Sequence, residues 1–237
     1  DTTPEGEQVN IYGNHVGSWN FAATAYLNRW KVKIYYEHYF DDHSQMFFQY
    51  GRWKDGHIGL EITFPKNRFI DTFVYEGLGT KDQTGPMLYD SFWGKFEEQI
   101  SAKDNYYNHY LYQGWQHWGM GIGNPLLPGP IYNKNGQITF ISNRVLAHHI
   151  GFCGSPCQSL SYRMLLSYSR HWGTYDNPLN EIKKQFNSLF EVTYAPQQLK
   201  GWSFTVSGAM DRGSMLGNNY GGMLVIRKQG IIKSGNK

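Results

Sequence analysis

An all-β antiparallel fold, in the form of a transmembrane barrel, is predicted for these 237 residues by three features. Apolar and polar side chains alternate with period two from end to end, and helical periodicity is nearly absent. Aromatic residues make up 17 % of the chain, with 18 Tyr, 14 Phe and 8 Trp, against only 17 % charged residues. That is poor in charge for a soluble domain and rich in amphipathic rings, which suit sugar contacts or a membrane interface. Finally, short and long connections alternate, as they do between the two rims of an outer-membrane barrel.

Twelve strand candidates lie near 8–15, 17–28, 30–40, 45–51, 57–64, 69–78, 105–115, 138–150, 158–171, 187–195, 201–211 and 220–228. Trp30, Val32, Ile34 and Tyr36 alternate with Lys31, Lys33 and Glu37, which makes a strand with one apolar face. The same holds for Phe190, Val192 and Tyr194 against Glu191 and Thr193, and for Trp202, Phe204, Val206 and Met210 against Ser203, Thr205, Ser207 and Asp211. Tight turns are expected at Asn28-Arg29, at 65–68 and at 196–201, with long loops at 79–104, 116–137 and 172–186. Within those loops Ser91 to Ile100 and Asn180 to Leu189 each have room for a short helix. Apolar bands ending in Trp and Tyr girdles would account for rings such as Trp30, Phe40, Trp115, Trp172 and Trp202, although a soluble sandwich also alternates. The reading is one domain over 1–237, a barrel or a barrel fragment.

The net charge of +3 is scattered, with no run of Lys or Arg able to track a nucleic-acid backbone. No window approaches the roughly 18 consecutive apolar residues of a membrane helix, so spanning falls to strands. Asp1 to Glu7 is polar and is no signal peptide. Cys153 and Cys157 flank a Gly-Ser-Pro sequence, close enough for a disulfide in an oxidising compartment, while two ordinary thiols are an equal reading.

Chemistry-bearing motifs are sparse. His148 and His149 are neighbours on a strand and point to opposite faces, so they cannot ligate one ion, and no HExxH or spaced Cys/His set occurs. Asp41-Asp42-His43-Ser44 reads as a turn, and GMGIG at 119–123 lacks the context of a nucleotide loop. Glu61, Asp71, Glu76, Arg144 and Arg163 would suit glycoside hydrolysis, but a polar lumen crossed by ion pairs accounts for them better. Neither a catalytic residue, a metal nor a cofactor is expected. Sugar binding fits best: pyranose C–H faces stack on Trp and Tyr while amides, Arg and His bond the hydroxyls. Tyr110, Tyr112, Trp115, His117, Trp118, Asn124, Asn143 and Arg144 supply that mixture around the loop 116–137.

Several blocks, in order and covering most of the chain, resemble the Wzi family of outer-membrane capsule-assembly proteins. They are GNHVGSWNF at 13–21, YYEHYFDDHS at 35–44, DGHIGLEITFP at 55–65, YEGLGTKDQTGP at 75–86, YYNHYLYQGWQHWGMGIGNP at 106–125, SNRVLAHHIGFCG at 142–154 and YRMLLSYSRHWGTYDNP at 162–178. The resemblance implies a lectin barrel in the bacterial outer membrane that holds capsular or other exported polysaccharide at the cell surface, without catalysis. It further implies Asn143, Arg144, His148 and Arg163 as polar groups of the lumen, and Tyr112, Trp115 and Trp118 near its loops. The family's barrels need more strands, so the chain looks like the C-terminal half of a longer member, and Ile231 to Lys237 lacks the usual terminal aromatic. Either about twelve strands close on themselves or a separate chain or segment completes the barrel, because open edges in lipid are not viable. The expected partners are surface polysaccharide and outer-membrane lipid. The rival readings are a soluble all-β carbohydrate-active enzyme and a diffusion porin.

Overall fold

In the computed structural model, the described residues are 16–41, 46, 48, 55–67, 69–83, 104–109 and 114–230. Nine of their strands form one sheet: β1 (Gly17–Leu27), β2 (Trp30–Phe40), β3 (Gly56–Thr63), β4 (Thr72–Gly79), β7 (Val145–Cys157), β8 (Leu160–Gly173), β9 (Pro178–Tyr194), β10 (Trp202–Gly213) and β11 (Asn219–Lys228). Each pairs antiparallel with its neighbours in chain order, a pure meander with β1 and β11 at the edges. Two further strands, β5 (Gln116–His117) and β6 (Met120–Gly121), make a small hairpin in the longest described connection. The fold is therefore all-β and antiparallel, and among the described residues it contains no α-helix, only a single 3-10 turn at Pro130–Tyr132. The β1 to β11 edges are not joined in one closed ladder.

The register fixes two faces with opposite chemistry, since alternate side chains of paired strands line up in rows. One face carries Phe21 and Ala23 from β1, Ile34 and Tyr36 from β2, Ile58 and Leu60 from β3, and Tyr75 from β4. It continues through Ile150 and Phe152, Met164 and Leu166, Phe190 and Val192, Phe204 and Val206, to Leu224 and Ile226. None of these is buried; Ile34 is 54 % exposed, Phe190 50 %, Val206 61 % and Leu224 66 %, while at the β1–β2 end Phe48 packs against Phe21 and stacks on the buried His38 of β2.

The opposite face is polar. One row alone runs Tyr35, Gly59, Glu76, His149, Ser167, Asn187, Asp211 and Asn219 across eight strands. Its members bond to one another: Tyr35 Oη donates to Glu76, His149 Nδ1 lies 2.7 Å from Ser167 Oγ, and Asn187 Nδ2 donates to Asp211 at 2.6 Å. Next to it His57 stands between two carboxylates, 3.7 Å from Glu37 and 3.6 Å from Glu76. Lys31 pairs with Glu61, and Arg163 with Glu191, which also accepts from Ser207 Oγ. The buried strand residues Leu78, Val145, Ala147, Ser169, His171, Gln185 and Ser207 lie on this face, whereas the buried His38 of β2 lies on the other, stacked on Phe48. Here sits the core cluster of Leu78, Leu127, Val145 and Ala147, with Tyr39, Tyr107 and Leu126 packed against it.

Several expectations need correction. Strand β7 begins at Val145 rather than 138, because side chains take the backbone groups before it: Asn108 bonds both N and O of Phe140, and Asn133 donates to the carbonyls of Gln137 and Thr139. It then runs through the Gly-Ser-Pro sequence with a bulge between Gly154 and Cys157. Positions i and i+4 of a strand lie about 13 Å apart, far beyond disulfide reach, and both thiols are free. The loop expected at 172–186 shrinks to a turn at 174–177, and the helix expected at 180–189 is part of β9, a 17-residue strand. There the pairing with β8 overrides a local sequence with charges at both parities. No strand forms at 104–109 or 114–115; Tyr106 and Tyr107 occupy a turn. The candidate strand 8–15, nearly all of 45–51, and the candidate helix 91–100 lie outside the described residues.

Gly59 shows how tightly the polar row is built. A Cβ there would stand 2.0 Å from the Tyr35 ring, which crosses β3 at this point to reach Glu76 on β4. Gly59→Val is expected to lower stability to denaturant by about 1–3 kcal/mol, whereas Gly208→Ala, with nothing within 4 Å of its added Cβ, should change it little. Equal effects in unfolding titrations of the two variants would refute the close packing of this row.

Candidate functional site

The connections at one end of the sheet are 28–29, 64–71, 158–159 and 195–201; those at the other are 41–55, 80–144, 174–177 and 214–218. The longest of these, 80–144, folds back over the polar face.

A buried polar clamp anchors it. Asn143, fully buried just before β7, donates through Nδ2 to Asn105 Oδ1 and to the Tyr106 carbonyl, and its own carbonyl accepts from Thr80 Oγ1 at 2.7 Å and Gln83 Nε2 at 3.0 Å. Tyr106 N donates to Gln83 Oε1, and Tyr106 Oη donates to Asp55 Oδ2 at 2.9 Å. Asp55 Oδ1 in turn accepts from the Asp82 amide at 2.9 Å. Gln83, Asp55, Thr80 and Asn143 are each at most 1 % exposed, so these bonds form where water cannot replace them.

From this anchor the chain crosses the sheet as a strap, Gly123 to Pro128. Asn124 shapes it by accepting the Leu126 amide on its side chain and the Leu127 amide on its carbonyl, which turns Leu127 into the core. Burial raises the Tyr107 phenol above its ordinary pKa, and Tyr107 Oη accepts from the Asn124 amide. Cavities of about 300 and 240 Å³ flank Pro125 and Leu126, the first bordered by His57, Glu76, His149 and Ser167, the second by Ser169, His171, Gln185 and Asn187. The β5/β6 hairpin turns through Trp118 and Gly119, at φ 53° and 79°, and is held by Ile131 N donating to the Gly119 carbonyl at 2.8 Å. Trp118 is left 86 % exposed, with His117 edge-on to its ring.

A wider groove of about 730 Å³ opens where the base of this loop meets the 174–177 turn. Asn105, Asn108, His109, Gln137, Thr139, Phe140, Ile141, Thr174, Asn177, Pro178 and Leu179 line it.

The residues singled out in the sequence do not converge. Trp115 packs near Tyr107, and His117 and Trp118 sit together on the hairpin. Asn124 and Asn143 serve the loop's own architecture. His148 falls on the apolar face rather than the opposite one, because its register pairs it with Gly77, and its Nδ1 lies 2.8 Å from Tyr75 Oη; Arg144, just before β7, stacks on Tyr175 and donates to the Lys81 carbonyl. Arg163 lies on the polar face at the opposite end, paired with Glu191. Tyr110 and Tyr112 lie outside the described residues. The groove residues were missed in the sequence; Asn105 and Asn108 fall in a strand expected at 105–115 and Asn177 and Pro178 in a loop expected at 172–186, and what joins them is the length of β8 and β9.

Among the described residues no group of three His, Cys, Asp or Glu side chains could hold a metal ion, and no helix is long and apolar enough to cross a membrane. Comparison with known proteins returns no match: no family model matches the chain, and neither does any curated protein or solved structure.

Asn143→Ala should cost about 2–4 kcal/mol, since it strands buried partners of the clamp, and should open the loop to cleavage within 114–137 under limited proteolysis. Cleavage at the unaltered rate would mean that the clamp does not anchor the loop.

Proposed function

We propose that this chain is the wall of an outer-membrane β-barrel, plugged from within by its own loop, and that it holds surface polysaccharide without chemistry. The observation that carries the reading is the continuous apolar face across nine strands, backed by a hydrogen-bonded polar face that the 80–144 loop overlies. A water-soluble sandwich would cover such a face with a second sheet; a membrane barrel turns it to lipid and faces its polar side inward. Trp30, Tyr162, Tyr194 and Trp202 near one end, and Trp19, Phe40, Tyr168, Trp172 and Tyr220 near the other, stand on the apolar parity where interfacial girdles belong. The resemblance to the Wzi family points the same way. A loop strapped across the polar face argues against an open diffusion pore.

Strand parity bears on closure. Nine antiparallel strands in chain order leave β1 and β11 running in the same direction, so direct closure would pair them parallel. An all-antiparallel barrel therefore requires an odd number of further strands between them, supplied by residues of this chain outside the described ones or by a separate chain or segment. Two copies placed edge to edge about the barrel axis fail for the same reason, because β11 of one would run parallel to β1 of the next.

Paired substitutions test the lipid contact. For protein folded into bilayers, Val206→Lys is expected to cost about 2–4 kcal/mol, while Ser207→Lys, on the polar face beside Glu191, should cost much less. If Val206 instead faced water, its replacement would fall within about 0.5 kcal/mol of neutral, and the membrane reading would be lost.

A second measurement addresses the missing chemistry. Proteoliposomes carrying the chain should retain surface polysaccharide that empty liposomes do not, with no new reducing ends over hours. Release of reducing ends that disappears in Glu76→Gln would identify an enzyme instead.

A further inference from the structure

Resting on the lectin reading above, we infer that the 730 Å³ groove between the loop base and the 174–177 turn is the glycan seat, and that it takes an uncharged segment of polysaccharide. Its volume falls within the roughly 300–1,000 Å³ of small-molecule sites. Its lining combines amides and hydroxyls, on Asn105, Asn108, Gln137, Thr139, Thr174 and Asn177, with an aliphatic floor of Ile141, Pro178 and Leu179. That is the chemistry that recognises hydroxyls and C–H faces, the Gln137 and Asn177 side-chain amides each offering a donor and an acceptor.

The lining is also prepared. Asn105 and Asn108 are locked by bonds to each other, to Asn143 and to Phe140, and the Asn177 amide is held by Thr174 Oγ1 at 2.9 Å. A ligand meeting them loses little to side-chain ordering. Gln137 and Asn177 are exposed, and among the described residues neither side-chain amide has a hydrogen-bond partner, so both can bond a sugar without breaking the fold.

Charge selects the ligand class. Among the described residues no Lys, Arg, Asp or Glu lines the groove, and Asp176 touches its wall, its Oδ2 accepting from Asn105 Nδ2 at 3.3 Å. Among the described lining residues a uronate or phosphate meets no Lys or Arg, only the His109 imidazole, and faces the Asp176 carboxylate; a neutral hexose or N-acetylhexosamine does not meet that repulsion.

The test is binding of hexasaccharide probes to the full chain in detergent micelles, by calorimetry at two salt concentrations. The probes are uncharged hexose and N-acetylhexosamine oligomers and a hexagalacturonate of equal length. Binding of at least one neutral probe is expected, indifferent to salt and weakened at least tenfold in Gln137→Ala with Asn177→Ala. Preference for the hexagalacturonate, lost at high salt, would overturn the uncharged class. Neutral binding unchanged in the double variant would overturn the groove while leaving the lectin reading intact. Binding of no probe, by a chain whose proteoliposomes still retain polysaccharide, would overturn the groove inference alone; failure of both would remove the lectin reading.

Discussion

Everything on the polar side of the sheet depends on how the 80–144 loop is fastened, and the fastening is the buried set of bonds around Asn143 and Tyr106. Four segments converge there: Asp55 before β3, Thr80 and Gln83 after β4, Asn105 and Tyr106 in the loop, and Asn143 before β7. Each polar group is buried at a place where strands end and backbone groups would otherwise lack partners. Satisfying them against one another gives the loop a single position. Without that position Leu126 and Leu127 have no reason to face Leu78, Val145 and Ala147, and the core cluster of this polar face would not form.

The clamp also explains why the groove exists where it does. Asn105 bonds Asn143 on one side and Asp176 on the other, so the loop base is tied at once to the start of β7 and to the turn after β8. The turn itself stands on 14- and 17-residue strands, among the longest in the sheet, which carry it up to the level of the loop. Groove and clamp thus share residues: one face of the Asn105-Asn108 turn holds the fold together and the other is presented to a ligand.

The meander was largely legible in the sequence, because period-two alternation in segments such as 30–40 and 201–211 is dictated by a sheet with unlike faces. Strand ends were legible where a turn residue marks them, as at Asn28, which adopts φ 55° between β1 and β2. Where the sequence misled, a long-range partner had overridden the local pattern. Residues 178–186 carry charge at both parities and look like a loop or helix, yet β8 supplies a full ladder; residues 138–144 alternate like a strand, yet Asn108 and Asn133 occupy their backbone groups. The candidate site was far less legible. Aromatic and basic side chains drew attention to Trp115, Trp118, Arg144 and His148, but which face each occupies follows from register. A shift of one residue exchanges the faces, and it is this that sends His148 to the apolar side.

Register also determines what a glycine does here. In the row that crosses the sheet, Gly59 lies directly between Tyr35 and Glu76, and its missing side chain lets the tyrosine ring lie flat across β3 and donate to a carboxylate two strands away. A bond that skips a strand couples β2 to β4 independently of the backbone ladder. His57, one row along on β3, couples the same two strands through Glu37 and Glu76. Tyr35 and His57 thus converge on Glu76, so the polar face of β2 to β4 is braced as one unit beside the cavity under the strap, where Glu76 and His57 are also lining residues. Of the charges that looked in sequence like an acid and base set, Glu76 belongs to that brace, while Glu61 pairs with Lys31, Asp71 accepts from Ser155, Arg163 pairs with Glu191 and Arg144 stacks on Tyr175.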